Sequence, residues 1–140
     1  MNTELLSNIN WLAVLVSAVA YFVLGAIWYS KALFAPAWAR LVGIDMNNPV
    51  KGKSIGVMMI GSFLLIVVTV IAQALIVNSI GLTGIASGIK LGLLTGLGFA
   101  TTAVSISFIY ESRPLALYFI DCGYHVVGQL AAAIILVLWR

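Results

Sequence analysis

The stretch SIGVMMIGSFLLIVVTVIAQALIVN, residues 54–78, decides the fold because it is long, apolar and free of charged side chains. A helix needs about 20 mostly apolar residues to cross the hydrocarbon core of a bilayer. Three further stretches meet the same requirement, at residues 9–30, 89–110 and 114–139. The sequence therefore predicts an all-α integral membrane bundle of four transmembrane helices, forming a single domain over residues 1–140.

The composition of the chain points the same way. Hydrophobic residues make up 63% of the 140 residues and charged residues only 8%, whereas a soluble domain has about 25% charged residues. So few charges cannot cover a water-soluble protein, and the surplus apolar surface must face lipid. The seven basic residues are scattered, so we expect no nucleic-acid partner.

Lysine and arginine are unevenly divided between the loops. Five of them fall in the first loop, residues 31–53, or in the third, residues 111–113, whereas the opposite side has only Lys90 and Arg140. By the positive-inside rule, the first and third loops are cytoplasmic and both termini lie outside.

Aromatic residues mark the ends of the spans, at Trp11, Trp28, Tyr29 and Trp139. Tryptophan and tyrosine favour the headgroup level, where an amphipathic ring meets both lipid and water, so we expect these four to be interface anchors.

Two loops allow alternative interpretations. The first contains the apolar stretch LFAPAWARLVGI, residues 33–44, which is either a segment lying in the membrane interface or an ordinary loop folded back on the helix ends. The second, between the second and third spans, is either a tight turn or a helical extension of the third span.

Small residues recur every four positions around the start of the third span, at Gly84, Gly88, Gly92, Gly96 and Ala100. Four-residue spacing places them along one face of a helix. Small side chains let two helix backbones approach closely in lipid. The spacing therefore predicts a helix-packing face, directed at another helix of this chain or of a neighbouring subunit. The alternative is a glycine-lined pathway.

Four polar side chains share one face of the last span: Tyr118, Asp121, His125 and Gln129. Counted from Pro114, Asp121 lies about 10 Å into the span and His125 about 16 Å, near the bilayer centre. An ionised aspartate is costly there, so it must be neutral, paired or facing water. We expect His125, one turn away, to be the partner of Asp121.

Three interpretations of this polar stripe stay open. Asp121 and His125 bond to hydroxyls of the third span and stabilise the bundle, or they form a proton relay or ligand site in a transport pathway. A metal site is the weakest of the three, because a third ligand is missing. We therefore predict no metal, and the sequence assigns no cofactor.

Short motifs near both ends of the chain form a set: Asn10 and Trp11; Trp28, Tyr29 and Ser30; Gly98, Phe99, Thr101 and Thr102; and Gly123, Tyr124 and His125. Together they resemble a family of small bacterial membrane proteins of unknown function. The likeness spans nearly the whole chain and is loosest in the first loop. It implies a four-helix fold in a bacterial cytoplasmic (inner) membrane, and it implies no activity.

Two function classes follow from these features. Small bundles rarely enclose a pathway alone, so the leading expectation is a structural or accessory subunit that works as a homo-oligomer or in a larger membrane complex. The alternative is a small transporter or channel that uses Asp121 and His125 as a proton or ligand relay. A polar cavity reaching Asp121 from one face would favour the transporter, and dry, fully hydrogen-bonded side chains would favour the subunit.

We expect no enzymatic activity. The sequence has no phosphate-binding loop and no nucleophile elbow, and it has no soluble domain that could house a catalytic pocket.

Overall fold

The computed structural model describes residues 7–45 and 54–139, and the regular secondary structure within these ranges is helical. Four of the described helices are long and apolar enough to cross a membrane: α1 (Trp11–Trp28), α3 (Ile55–Ile80), α4 (Ile85–Glu111) and α5 (Leu115–Leu138). A short helix, α2 (Ala35–Val42), follows α1. The predicted all-α membrane fold with four spans is thus confirmed.

The turn between α3 and α4 is short. Gly81 ends α3 and Gly84 precedes α4, and their φ values of 69° and 78° lie in the left-handed region that favours glycine. As a result α4 begins at Ile85, four residues earlier than predicted, so the second loop is largely a helical extension of the third span. A Cβ on Gly84 would meet no atom within 4 Å, so this residue belongs to the turn and not to the glycine packing face.

The first loop contains a helix that folds back on the bundle. The ring of Phe34 lies 4.8 Å from that of Trp28, and the ring of Trp38 lies 6.0 Å from that of Tyr29. Helix α2 also contacts α5. Residues 46–53, with Lys51 and Lys53, lie outside the described part of the chain. The position of α2 in the membrane interface stays a prediction.

Helix α5 is the centre of the bundle, in contact with α1, α3 and α4. In an apolar window of 18 residues taken from each helix, 44% of the window is buried in α5 and 11% in α3. The last span is therefore surrounded by the others, whereas α3 lies at the periphery and leaves most of its apolar surface exposed.

Glycines allow α4 to lie directly against the backbone of α5. A Cβ on Gly88, Gly92 or Gly96 would stand 2.9, 2.5 or 3.0 Å from a Cα atom of α5. Real Cβ atoms are almost never found closer than 3.0 Å to another heavy atom, so Gly88 and Gly92 need glycine and Gly96 lies at that limit. Three of the five residues in the predicted small-residue face thus contact a helix of the same chain.

A second set of glycines makes room for aromatic rings between α1 and α5. Gly128 lies directly under the ring of Tyr21, which is 2% exposed. A Cβ on Gly25 would stand 2.9 Å from the ring of Tyr124, and one on Gly123 would stand 3.1 Å from Trp28. Each of these rings fills the space that a side chain would otherwise occupy.

Helix α4 changes its hydrogen-bonding pattern midway. Its middle segment, Leu94–Thr101, is π-helical, whereas Ile85–Leu93 and Thr102–Glu111 are α-helical. A π-turn holds more residues than an α-turn, so four-residue spacing no longer follows the same face there. Ala100, predicted to continue the packing face, instead lines a cavity.

Packing differs between the two ends of the bundle. At the end where α1 and α4 begin, here called the Trp139 end, buried apolar side chains such as Val14, Val77 and Leu136 fill the core. The Asn10 side chain closes this end by donating to the backbone oxygen of Trp139 at 3.1 Å. At the opposite end, here called the Arg113 end, the helices enclose open space.

Candidate functional site

A cavity of about 850 Å³ lies between α1, α3, α4 and α5, and its lining includes Glu111 and Arg113 at the Arg113 end. Its volume is in the range of small-molecule binding pockets, about 300–1,000 Å³. The wall is mainly apolar, with contributions from Met58 and Leu65 on α3 and Ala103 on α4. Asp121, His125 and Gln129 of the predicted polar stripe line the same space, so the cavity connects the surface with the polar face of α5.

Asp121 is positioned by the end of α1. The Tyr29 hydroxyl donates a hydrogen bond to Asp121 Oδ1 at 2.9 Å. The Tyr29 ring is itself held by Trp38 of α2, and Trp28 beside it donates through its indole N–H to the backbone oxygen of Ile120 at 3.0 Å. The junction between α1 and α2 therefore fixes the position of Asp121 along the cavity.

His125 is positioned one turn deeper by the same helix. The Tyr21 hydroxyl lies 2.9 Å from His125 Nδ1. When Tyr21 donates, His125 is a neutral imidazole that has its proton on Nε2. Tyr124 packs edge-on against both Tyr21 and Tyr29, with ring centroids 5.4 and 5.5 Å apart, so three tyrosines form a connected wall beside the two titratable groups.

A buried amide layer closes the deep end of the cavity. Gln73 of α3, which is 1% exposed, donates to Thr95 Oγ1 at 2.8 Å and to the backbone oxygen of Gln129 at 3.2 Å. The Thr95 hydroxyl in turn donates to the backbone oxygen of Leu91 in its own helix. This layer gives the Gln73 amide nitrogen its partners, whereas the buried Gln73 Oε1 has none among the described residues. Beyond the layer lies the apolar core of the Trp139 end.

An ion pair lies at the mouth of the cavity. The Arg113 guanidinium is 2.5 Å from Glu111 Oε2, and both side chains are about half exposed. The Arg113 guanidinium also lies 5.4 Å from the centre of the Phe108 ring. The two charges offset each other where the cavity opens, as expected for a solvated pair in the headgroup region.

Tyr118 differs from the other three residues of the predicted stripe. Its hydroxyl lies 3.0 Å from Ser105 Oγ, and its ring packs against Phe108. It therefore joins α5 to α4 and is not among the residues that line the cavity. A long side chain near a helix start leans back towards the N-terminus, which takes the Tyr118 ring away from Asp121.

The partners of Asp121 and His125 differ from those expected. Sequence reasoning paired the two with each other or with hydroxyls of the third span, whereas their hydrogen bonds go to tyrosines of the first. Most hydroxyls of the third span bond to their own helix instead, as Thr102 does with the carbonyl of Gly98 at 2.7 Å. Tyr21, Gly25 and Tyr29 are spaced four apart on α1, and this spacing is the signal that could have revealed the partner helix.

The four predicted interface anchors fall into two groups. Trp11 and Trp139, at the Trp139 end, are 52% and 44% exposed. Trp28 and Tyr29 lie at the other end, and both also bond to α5. The aromatic residues at the end of α1 therefore also position Asp121. A role as interface anchors alone does not predict these hydrogen bonds.

Within residues 7–45 and 54–139, no group of three His, Cys, Asp or Glu side chains comes together that could hold a metal ion. The polar lining can instead accept and donate hydrogen bonds, and through Asp121 and His125 it can exchange protons with a ligand or with water.

Comparison with known proteins gives one family. Neither curated proteins nor solved structures provide a match to this chain. Residues 12–137 match DUF1761, described as a protein of unknown function, and this range includes all four spans except the first residue of α1 and the last of α5. The chain therefore belongs to the DUF1761 family of proteins of unknown function.

Proposed function

We propose that this membrane protein is a small transporter that binds its solute in the cavity at the Arg113 end, with Asp121 and His125 as its protonatable groups. The observation that supports the proposal is the cavity itself. Its lining extends from Glu111 and Arg113 to both side chains, which is what a pathway requires and a packing subunit does not. A carboxyl group at membrane depth is costly unless it faces water or a ligand.

The ends of the bundle suggest which state of a transporter this is. The cavity extends to Glu111 and Arg113 at the Arg113 end, and at depth it reaches Gln129 of the amide layer. With the first and third loops in the cytoplasm, as the positive-inside rule predicts, the cavity faces inward. The π-helical segment Leu94–Thr101 lies beside that layer and is a place where α4 can bend.

Proton flux in liposomes tests the proposal. The wild-type protein is reconstituted with a pH-sensitive dye inside, and an imposed potential drives protons across the membrane. We expect the wild type to conduct or exchange protons and Asp121→Asn to reduce the flux at least tenfold, because the amide cannot release a proton. Asp45→Asn is the matched control, since it removes a carboxylate outside the cavity. Identical flux for the wild type and Asp121→Asn would contradict the transporter.

A structural or accessory subunit in a bacterial inner-membrane complex is the second candidate. The observation that favours it is the peripheral position of α3. A Cβ added to Gly61 of this helix would have no atom within 4 Å, so the helix surface around Gly61 is uncovered. A partner helix, from a second copy or another protein, could pack there. A homo-oligomer or a stoichiometric foreign chain that is retained in lipid nanodiscs, together with absent proton flux, would favour this candidate over the transporter.

A further inference from the structure

The wall of the cavity nearest Asp121 is aromatic. Tyr21, Tyr29 and Tyr124 all line it, and their rings meet edge to face at interplanar angles of 60° and 68°. The face of a tyrosine ring has a negative quadrupole potential, which attracts a cation within about 6 Å of the ring centre. The rings of Tyr29 and Tyr124, beside the Asp121 carboxylate, form the type of surface that binds organic ammonium groups, and the buried Tyr21 ring supports them from behind.

The charges that face the cavity also favour a cation. Glu111 and Arg113 at the mouth are paired with each other. His125 is bonded to Tyr21 one turn deeper than Asp121. Tyr29 donates a hydrogen bond to Oδ1 of Asp121. No other described side chain hydrogen-bonds to this carboxylate, so Oδ2 can bind a ligand. The carboxylate of Asp121 is thus the charge that a ligand inside the cavity would meet.

The remaining lining is apolar and adaptable. Met58 and Met59 of α3 line the cavity, as do Leu65 and Val104. Methionine side chains are flexible and polarisable and suit surfaces that accept ligands of varied shape. An ion with an apolar body would bury that body against these side chains, which a small hydrated ion such as sodium cannot do.

We propose that the cavity binds an apolar organic cation, with the charge at Asp121, the tyrosine rings around it and the apolar body against α3. This inference rests on the proposed function, because it names the solute class for the same cavity.

Two ions of equal shape and opposite charge test the inference. Binding of tetraphenylphosphonium and of tetraphenylborate is measured by equilibrium dialysis with the protein in nanodiscs of neutral lipid, and binding to empty nanodiscs is subtracted. We expect saturable binding of the phosphonium, with a Kd at least tenfold lower than that of the borate. Equal saturable binding of the two ions, preference for the borate, or no saturable binding would overturn the inference.

Variants locate the bound cation. Asp121→Asn keeps an oxygen that can accept from Tyr29, so the fold is preserved while the charge is lost, and we expect the affinity for tetraphenylphosphonium to fall at least tenfold. Tyr124→Leu removes one ring without touching the carboxylate and should lower the affinity severalfold. Asp45→Asn, outside the cavity, should leave it unchanged. Unaltered binding by both cavity variants, with thermal melting of each verified, would overturn the site.

Proton flux and phosphonium binding together separate an error in the solute class from an error in the proposed transport activity. If proton flux depends on Asp121 but the phosphonium does not bind, the solute class is wrong and the transporter stands. If the phosphonium binds at Asp121 but flux is absent, the cation site stands and the transporter is wrong. If a second copy of the chain fills the cavity, neither ion binds, and the cation site is overturned.

Discussion

The hydrogen bond between Tyr29 and Asp121 joins two helices at the point where the cavity meets the polar stripe. In lipid, an aspartate without a partner would cost several kcal/mol, so Tyr29 stabilises the fold while it holds Oδ1 in place. The tyrosine that sequence reasoning assigned only to the membrane interface is therefore also part of the site. Hydropathy indicates how deep a residue lies, but it does not indicate which helix stands opposite.

A double-mutant cycle tests this contact. We expect Tyr29→Phe and Asp121→Ala each to lower the free energy of unfolding, with a coupling of about 0.5–1.5 kcal/mol between them, the range for polar contacts between membrane helices. Unfolding in mixed micelles provides the measurement. Tyr110→Phe is the control, because Tyr110 is 86% exposed. Coupling near zero would show that the hydrogen bond does not contribute to the stability of the bundle.

The helix pair α4–α5 depends on glycine at specific positions. A Cβ on Gly92 would lie 2.5 Å from the Cα of Leu130, a backbone atom that can move only if the helix moves. A Cβ on Gly61 of α3 would meet nothing within 4 Å. The same glycine-to-alanine change therefore has opposite packing consequences on two spans of one protein.

We expect Gly92→Ala to lower the free energy of unfolding by about 1–3 kcal/mol through overpacking. Gly61→Ala should not lower it and should raise it by up to about 1 kcal/mol, because alanine is the better helix former. Gly92→Leu should separate α4 from α5 altogether. Thermal melting in detergent compares the three variants, and equal melting temperatures for Gly92→Ala and Gly61→Ala would refute the close contact between α4 and α5.

At the level of the helices, the sequence predicted much of what the structure shows. The four spans follow from apolar length, and the packing of Gly88, Gly92 and Gly96 follows from four-residue spacing. The π-helical segment Leu94–Thr101 was not predicted, because a single extra residue in a helix leaves no mark on hydropathy. For that reason four-residue spacing predicted Ala100 on the packing face, whereas Ala100 lines the cavity.

The cavity is a property of the whole bundle and of no single helix. It exists because α5 packs tightly with α1 and α4 while α3 stays peripheral at the Arg113 end. The polar stripe of α5 was predicted from spacing alone, but the space in front of it depends on how far the neighbouring helices diverge, and sequence periodicity does not encode that distance. A lipid-facing surface and a cavity wall can have the same apolar composition.

Thiol labelling tests whether an aqueous cavity enters the membrane beside Asp121 from the cytoplasmic side. In a Cys122→Ser background, single cysteines replace Ala103, which lines the cavity, and Ile106, which is 59% exposed on the outside of the same helix. Ala103 lies about 12 Å along α4 from Glu111 and Ile106 about 7.5 Å. A membrane-impermeant maleimide is applied to inside-out and right-side-out vesicles.

We predict that the cysteine at position 103 reacts in inside-out vesicles and not in right-side-out ones, although it is the deeper of the two, and that the cysteine at position 106 reacts in neither. Reaction at position 106 but not at 103, or no reaction at either, would contradict a water-filled cavity in front of the polar stripe.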